Sequence, residues 1–256
     1  MFSFFKRRKK TSPLTAVHTI QPNEGDTQKA DLIRAINEAT RSLPEPNPWG
    51  YCFCGEYVLR GVNPGTKRKN KISIFAPDYD SAVSAAEKEL YQGPFELISG
   101  PQLVSPSDAQ ISYMGRLGLR IPPGSSTHDV TALLTRCENN DPSQVNTEFR
   151  AYARANGSVR SDLIGNVELY RRAYHATSAP ERAALICYFI RKKDAGISVG
   201  DPREDARFEK DKLFADVIRA DPSFLAKLQD FDGANLPKLN KTYALYKAAR
   251  TYIDGN

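Results

Sequence analysis

The segment from Tyr57 to Leu90 constrains the fold more than any other part of the chain, because it contains the signals of a strand, a turn, a second strand and a helix in order. Aromatic and β-branched residues from Tyr51 to Val62 predict a strand, in which Gly55 either splits the segment or places a bulge. The triplet Asn63-Pro64-Gly65 predicts a tight turn, since proline presets φ and glycine accepts a positive φ. Residues 71–76 then predict the returning strand of a hairpin.

A helix and a third strand are predicted after this hairpin. Either Asp78 or Asp80 can act as the N-cap, because a carboxylate accepts hydrogen bonds from the free amides of a first helical turn. The apolar residues that follow have helical spacing and predict a buried stripe. Its members are Ala82, Val83, Ala86 and Leu90. Residues 95–98 predict a further strand, so residues 49–103 are predicted to form a small ββαβ domain.

Residues 104–140 have the pattern of a helix–extended–helix module. Ser107 and Gln110 have the spacing of a capping box, as do Ser126 and Asp129, so each pair predicts the start of a helix. Gly118 can close the first helix in the left-handed conformation. The apolar sides are predicted to be Ile111, Met114 and Leu117 in the first helix, and Val130, Leu133, Leu134 and Cys137 in the second.

The rest of the chain adds an arm and a helical region. Residues 1–48 are predicted to form a basic N-terminal arm with one short helix near residues 31–40, and the proline-rich run at 44–50 predicts a boundary. Residues 141–256 contain several apolar stripes of helical spacing, which predict a C-terminal helical domain. Ser178 can cap one of its helices, with Pro180 in the first turn. The predicted fold class is α+β, mostly α.

The composition is that of a folded and mildly basic protein. The chain has 256 residues, of which 40% are hydrophobic and 26% are charged, and its formal net charge is +6. That charge is compatible with a polyanionic partner, and equally with a solvated basic surface. The sequence shows neither a secretory signal nor an apolar run approaching the ~18 residues of a membrane span. A cytoplasmic protein is therefore expected.

The cysteines favour reduced thiols. Cys52 and Cys54 are two residues apart, but no second pair of cysteines or histidines follows at a metal-ligand spacing, and Cys137 and Cys187 are isolated. Neither a metal site nor a disulfide framework is predicted, and no cofactor is expected.

Catalytic patterns are equally weak. The three histidines are His18, His128 and His175, and no local signature brings one of them to a nucleophile. Asp129 beside His128 is explained as a first-turn acid that favours the helix dipole. No phosphate-binding loop of the known glycine-rich types is present. A non-enzymatic protein is therefore expected, with an enzyme of unrecognised site kept as an alternative.

Four cations at or just after the predicted hairpin tip give the strongest functional signal. These residues, here called the basic hairpin, are Lys67, Arg68, Lys69 and Lys71. Positive charge on a stiff turn is presented outward, where it can meet phosphates or an acidic partner. The alternative is a solvated turn whose lysines aid solubility. The leading prediction is a binding protein that contacts nucleic acid, or an assembly that contains it, through this hairpin.

Two adjacent motifs carry a resemblance. The first is Y-V-L-R-G-V-N-P-G-T-K-R-K followed by an alanine-rich helix, and the second is S-x-x-Q-x-x-Y-x-x-x-L-G-x-x-I-P-x-G-S-S-x-x-D-V-x-x-L-L-x-R, from Ser107 to Arg136. Together they resemble uncharacterised bacterial and mobile-element proteins that pair such modules. The layout of the second module is also similar to the DNA-binding SAP type of helix–extended–helix unit. These resemblances imply a bacterial or phage origin and a DNA-binding role, for which Arg116, Arg120 and Arg136 are the candidate contacts.

The N-terminus supports a second interpretation. Aromatic residues followed by a basic run are typical of a peripheral contact with an anionic membrane surface, and a basic tail is the alternative. The candidate residues are Phe2, Phe4, Phe5, Lys6, Arg7, Arg8, Lys9 and Lys10. The runner-up function is therefore a protein–protein adaptor or regulatory protein, near a membrane through this segment. The sequence leaves the oligomeric state open.

Overall fold

The computed structural model describes residues 24–256 except 42 and 44. This part of the chain contains eleven α-helices and one three-stranded antiparallel sheet, which confirms an α+β, mostly α fold. In chain order the elements are α1 Glu24–Ala39, β1 Gly55–Val62, β2 Lys69–Ala76, α2 Tyr79–Lys88, β3 Gln92–Gln102, α3 Asp108–Leu117, α4 Thr127–Glu138, α5 Thr147–Ala155, α6 Asn166–Ala176, α7 Ala179–Ala195, α8 Phe208–Asp211, α9 Phe214–Arg219, α10 Pro222–Asp230 and α11 Ala244–Asp254. Short 3₁₀ turns lie at Pro202–Glu204 and Gly233–Lys238.

The sheet has the order β2-β1-β3, so β1 is its central strand and β2 an edge. Helix α2 covers one face, where Tyr57 and Leu59 of β1 pack with Ala82 and Ala86. Asp78 is the N-cap of α2 and accepts a hydrogen bond of 2.7 Å from the Ser81 amide, as one of the two predicted alternatives requires.

The prediction that Leu90 belongs to the buried stripe of α2 is wrong. The helix ends at Lys88, and Leu90 has a positive φ of 66° with 68% of its surface exposed. Because the chain leaves helical geometry before Leu90, the i, i+4 relation to Ala86 no longer places its side chain on the covered face.

The segment from Tyr51 to Val62 is split at Gly55, which is one of the alternatives that the sequence left open, because the sheet strand begins there. The preceding residues pair with a distant loop instead. The Phe53 amide donates to the Arg160 carbonyl at 3.1 Å, the Asp162 amide donates to the Tyr51 carbonyl at 2.8 Å, and Cys52 forms an isolated bridge with Ser161. This short segment therefore connects the sheet to the C-terminal helices.

Helices α3 and α4 begin as their sequences predict. Both capping boxes are formed, one by Ser107 with Gln110 and the other by Ser126 with Asp129, and Gly118 ends α3 with a φ of 76°. Ile111 is a correction: it is 48% exposed, because α3 directs Met114 into the core and leaves Ile111 on the solvent side.

The hydrophobic cluster around α3 and α4 draws on every predicted segment of the chain. Its buried members are Ile36, Tyr51, Met114, Leu119, Val130, Leu133 and Leu163. Packing therefore crosses each boundary proposed from the sequence.

Helix α7 forms the centre of the largest core. Its residues from Ala183 to Ile190 are all buried, as expected for a helix that neighbours surround on all sides. Ser178 caps it through a capping box, with Pro180 in the first turn. The stretch 205–220 contains two short helices, α8 and α9, which pack against α7 separately.

A buried carboxylate, that of Asp129, joins three separate parts of the chain. Its Oδ2 accepts hydrogen bonds from the Ser126 amide at 2.7 Å, the Ser126 hydroxyl at 2.8 Å and the Tyr51 amide at 3.0 Å. Its Oδ1 accepts from the Ser161 hydroxyl at 2.6 Å and faces the Cys52 thiol at 3.4 Å. Asp129 is therefore more than the first-turn acid that the sequence suggested.

Gly50 makes this approach possible. It has a φ of 78°, and a Cβ at this position would lie 2.5 Å from Asp129 Oδ2 and 2.8 Å from the Gly124 carbonyl oxygen. Only glycine tolerates both the backbone conformation and the contact.

Replacing Asp129 by asparagine is expected to lower the free energy of unfolding by about 3 kcal/mol, because an amide NH₂ would face buried donors that need an acceptor. Urea denaturation measures the loss. The control is Asp108→Asn, an exposed first-turn acid of α3, which is expected to cost about 0.5 kcal/mol. Similar losses in the two variants would contradict a structural role for the buried carboxylate.

Candidate nucleic-acid interface

The tip of the β1–β2 hairpin is fixed by Asn63. Its side-chain Oδ1 accepts from the amides of Gly65 at 2.9 Å and Thr66 at 3.0 Å, and its Nδ2 donates to the Tyr91 hydroxyl at 3.0 Å. The Lys67 amide donates to the Asn63 carbonyl at 2.9 Å, and Lys67 has a positive φ of 56°. The turn predicted at residues 63–65 is therefore a hydrogen-bonded loop, which fixes the backbone from which the following cations project.

All four cations of the basic hairpin are exposed. Lys69 and Lys71 lie on β2 opposite Val62 and Arg60 of β1, while Lys67 and Arg68 precede the paired strand. Among the residues that the structure describes, none of the four forms an ion pair, whereas Arg60 pairs with Glu96 of β3 at 2.9 Å. The hairpin therefore presents positive charge that its own fold does not neutralise.

The alternation of β2 places two of these lysines on the open face of the sheet. Ile72 and Ile74 pack toward α2, so Lys69 and Lys71 project from the opposite face, together with Phe75 farther along the strand. The open face therefore carries a strip of residues that begins with lysines and ends at an aromatic ring.

That strip ends where the sheet meets the helices. The Phe75 ring meets the His128 ring edge-on, with centroids 4.3 Å apart, and the Arg160 guanidinium carbon lies 4.9 Å from the Phe75 centroid. Burial lowers the pKa of His128, and Arg160 lowers it further. His128 Nε2 is buried and has no hydrogen-bond partner among the described residues.

Arg116 and Arg120 lie on a different surface from the basic hairpin, beside α1. Arg116 is exposed and stacks over Tyr113, with 5.4 Å between the guanidinium carbon and the ring centroid. The Arg120 amide donates to Asn37 Oδ1 at 2.8 Å, and each arginine lines a groove that also includes Arg41, two residues after the end of α1. The structure thus does not bring these two arginines together with the hairpin cations.

Arg136 corrects the sequence prediction, because it is 3% exposed and unavailable to a phosphate. Its Nε donates to the Asp141 carbonyl at 3.3 Å, and its Nη2 donates to the Ser143 carbonyl. It fixes the turn after α4, so it is left out of the interface.

The remaining sequence predictions lie elsewhere. The membrane-contact segment Phe2–Lys10 lies outside the described residues. Within the part of the chain that the structure covers, no helix is long and apolar enough to cross a bilayer, and no cluster of three or more acidic, histidine or cysteine side chains has the geometry of a metal site. All four cysteines are free, and burial raises the pKa of the Cys52 thiol, with Asp129 adding to the effect.

Sequence reasoning missed the junction formed by Phe75, His128 and Arg160. These residues come from β2, α4 and the loop before α6, so no local spacing connects them. The one signal available in the sequence was His128 in the first turn of a helix that begins with a capping box.

Comparisons with models of protein families, with curated proteins and with solved structures each gave no match to this chain. The resemblance of residues 57–136 to bacterial and mobile-element proteins therefore stays a prediction.

His128 is expected to make stability depend on pH. Burial and the nearby Arg160 and Arg172 lower its pKa, while Asp129 and Glu56 oppose them. At mildly acidic pH the unfolded chain therefore binds a proton that the folded chain resists, so the free energy of unfolding should fall as the pH is lowered from about 7 to about 5.

His128→Gln should flatten this dependence in urea denaturation at several pH values, whatever its effect on stability at neutral pH. The control is His175→Gln, because His175 is exposed and does not touch Phe75. If the free energy of unfolding of the His128 variant depends on pH as strongly as that of the wild type, His128 is not the group responsible.

Proposed function

We propose that this chain is a non-enzymatic binding protein that contacts the phosphate backbone of nucleic acid through the basic hairpin. The observation that carries the proposal is that Lys67, Arg68, Lys69 and Lys71 are exposed, unpaired within the described chain, and held on a hydrogen-bonded turn. A turn whose backbone is already fixed by hydrogen bonds loses less backbone freedom on binding a polyanion than a flexible loop would lose. The resemblance described for residues 57–136 supports a bacterial or phage origin.

Contact with the phosphate backbone is favoured over recognition of the bases, whether by their edges or by stacking. Three of the four cations are lysines, which act on phosphates as point charges and lack the planar fork that reads guanine edges. Single-strand binders stack bases on free aromatic faces, but Phe75, the aromatic residue of the same strip, is already in contact with His128 and Arg160. The net charge of +6 adds long-range attraction.

Reversing two tip charges should remove most of the affinity. Lys67→Glu with Arg68→Glu is expected to weaken binding to a duplex by roughly tenfold or more near 0.1 M salt, and to reduce the salt slope by about two, because two phosphate contacts are lost. Fluorescence anisotropy across a salt series measures both quantities. The melting temperature should hardly change, because neither side chain has a partner within the described fold.

The matched control is Lys238→Glu with Lys241→Glu, which makes the same change in net charge at exposed lysines of the C-terminal region. It should retain most of the affinity. Equal losses in the two double variants would mean that only net charge matters, and an unaltered affinity in the hairpin variant would end the proposal. Capture of a protein partner that persists after nuclease treatment and is lost on deleting residues 1–10 would instead favour the adaptor alternative.

A further inference from the structure

A cleft of about 180 Å³ lies next to the Phe75 junction, between α4, the loop before α6, and α6 itself. Its charged or ionisable lining groups are His128, Arg160, Glu168 and Arg172, and its walls also include Thr131, Thr135 and Ser161. None of these residues belongs to the basic hairpin. The cleft is large enough for a small anion.

The two arginines give the cleft an excess of positive charge. Arg172 Nε donates to Glu168 Oε1 at 2.7 Å, and Arg171 takes the other carboxylate oxygen, also at 2.7 Å. Glu168 is therefore already shared between two guanidinium groups. Arg160 forms no ion pair with any residue that the structure describes, and its cation is held by stacking on Phe75.

The hydroxyl groups of the walls cannot serve an anion as donors while they keep their present bonds. Thr131 and Thr135 donate to the carbonyls of Thr127 at 2.8 Å and Thr131 at 2.9 Å, and Ser161 donates to Asp129. The remaining hydrogen-bond donors of the cleft are the guanidinium groups of Arg160 and Arg172. The His128 ring lines the cleft beside them, with its Nε2 buried and without a partner in the described chain.

We propose that this cleft binds a phosphate group, held by the guanidinium groups of Arg160 and Arg172 next to the His128 ring. Arginine provides several N–H donors in a fixed plane, which matches the oxygen atoms of a phosphate. Phosphate offers enough acceptors for both guanidinium groups at once.

The phosphate can belong to the nucleic-acid backbone or to a small molecule. The first source rests on the proposed function. Lys69 and Phe75 lie near the two ends of β2, about 20 Å apart along the strand. Phe75 contacts His128 and Arg160, which both line the cleft. A backbone that follows the open face from the hairpin would reach the cleft with another of its phosphates.

Inorganic phosphate is the first probe. At concentrations well above its dissociation constant it should raise the melting temperature of the full chain by about 3 °C relative to chloride at the same ionic strength, and it should shift the NMR signals of the His128 ring. Arg172→Gln and Thr135→Glu should abolish both responses, the second by placing a carboxylate on the cleft wall. Arg219→Gln, an exposed arginine paired with an aspartate one turn away, should keep them.

Nucleic acid is the second probe. A loss of duplex affinity in Thr135→Glu, but not in Arg219→Gln, supports the cleft with the backbone as the source, even where inorganic phosphate gives no response. The wild type can instead respond to inorganic phosphate, with the response lost in the cleft variants, and yet bind no nucleic acid. That result supports a small phosphorylated ligand for the cleft and contradicts only the proposed function of the basic hairpin.

Two results would overturn the inference. The first is equal stabilisation by phosphate in the wild type and all three variants, which indicates general anion binding. The second is a wild type that ignores inorganic phosphate together with a Thr135→Glu variant whose duplex affinity is unchanged. The melting temperature of each variant in chloride shows that the fold is intact.

Discussion

The hydrogen bonds of the Asp129 carboxylate fix how the sheet, α4 and the C-terminal helices meet. The donors come from Tyr51 just before the sheet, Ser126 at the start of α4, and Ser161 in the loop that leads to α6. Hydrogen bonds to an ionised group are stronger than neutral ones, and a buried charge tolerates the loss of few of them. Arg160 directly precedes Ser161 in the chain, and His128 directly precedes Asp129. The same carboxylate therefore positions both of the groups that contact Phe75.

Much of the local structure could be predicted from the sequence, because it depends on residues only a few positions apart. Ser107, Ser126 and Ser178 each bond to the third residue that follows, and Gly118 accepts the left-handed conformation that ends α3. Asn63 organises the hairpin tip through amides two and three residues ahead. In these cases the chemical requirement and the residue that meets it occur in one short window.

Groups whose partners are distant in sequence could not be interpreted in this way. Asp129 bonds to Tyr51 and Ser161, which are 78 and 32 residues away, so its spacing indicated only a helix start. Arg136 looked like a surface charge, but the turn after α4 supplies two carbonyls that allow its guanidinium to be buried. The prediction that Leu90 is buried was wrong for a local reason. It extended the helical periodicity past Lys88, where the backbone leaves the helix.

The charges of the hairpin have a simpler structural explanation that covers only part of them. Lysines on an edge strand discourage pairing with another chain, and β2 is an edge strand, so Lys69 and Lys71 can be explained by protection of that edge. Lys67 and Arg68 precede the paired strand and protect no ladder positions. Elsewhere the fold uses arginines internally, as with Arg171 and Arg191, which bond to carboxylates in distant loops. Like charges crowded at a tip repel one another and contribute nothing to packing. Neither packing nor protection of the edge accounts for Lys67 and Arg68, and the proposed contact with an external anion would use both of them.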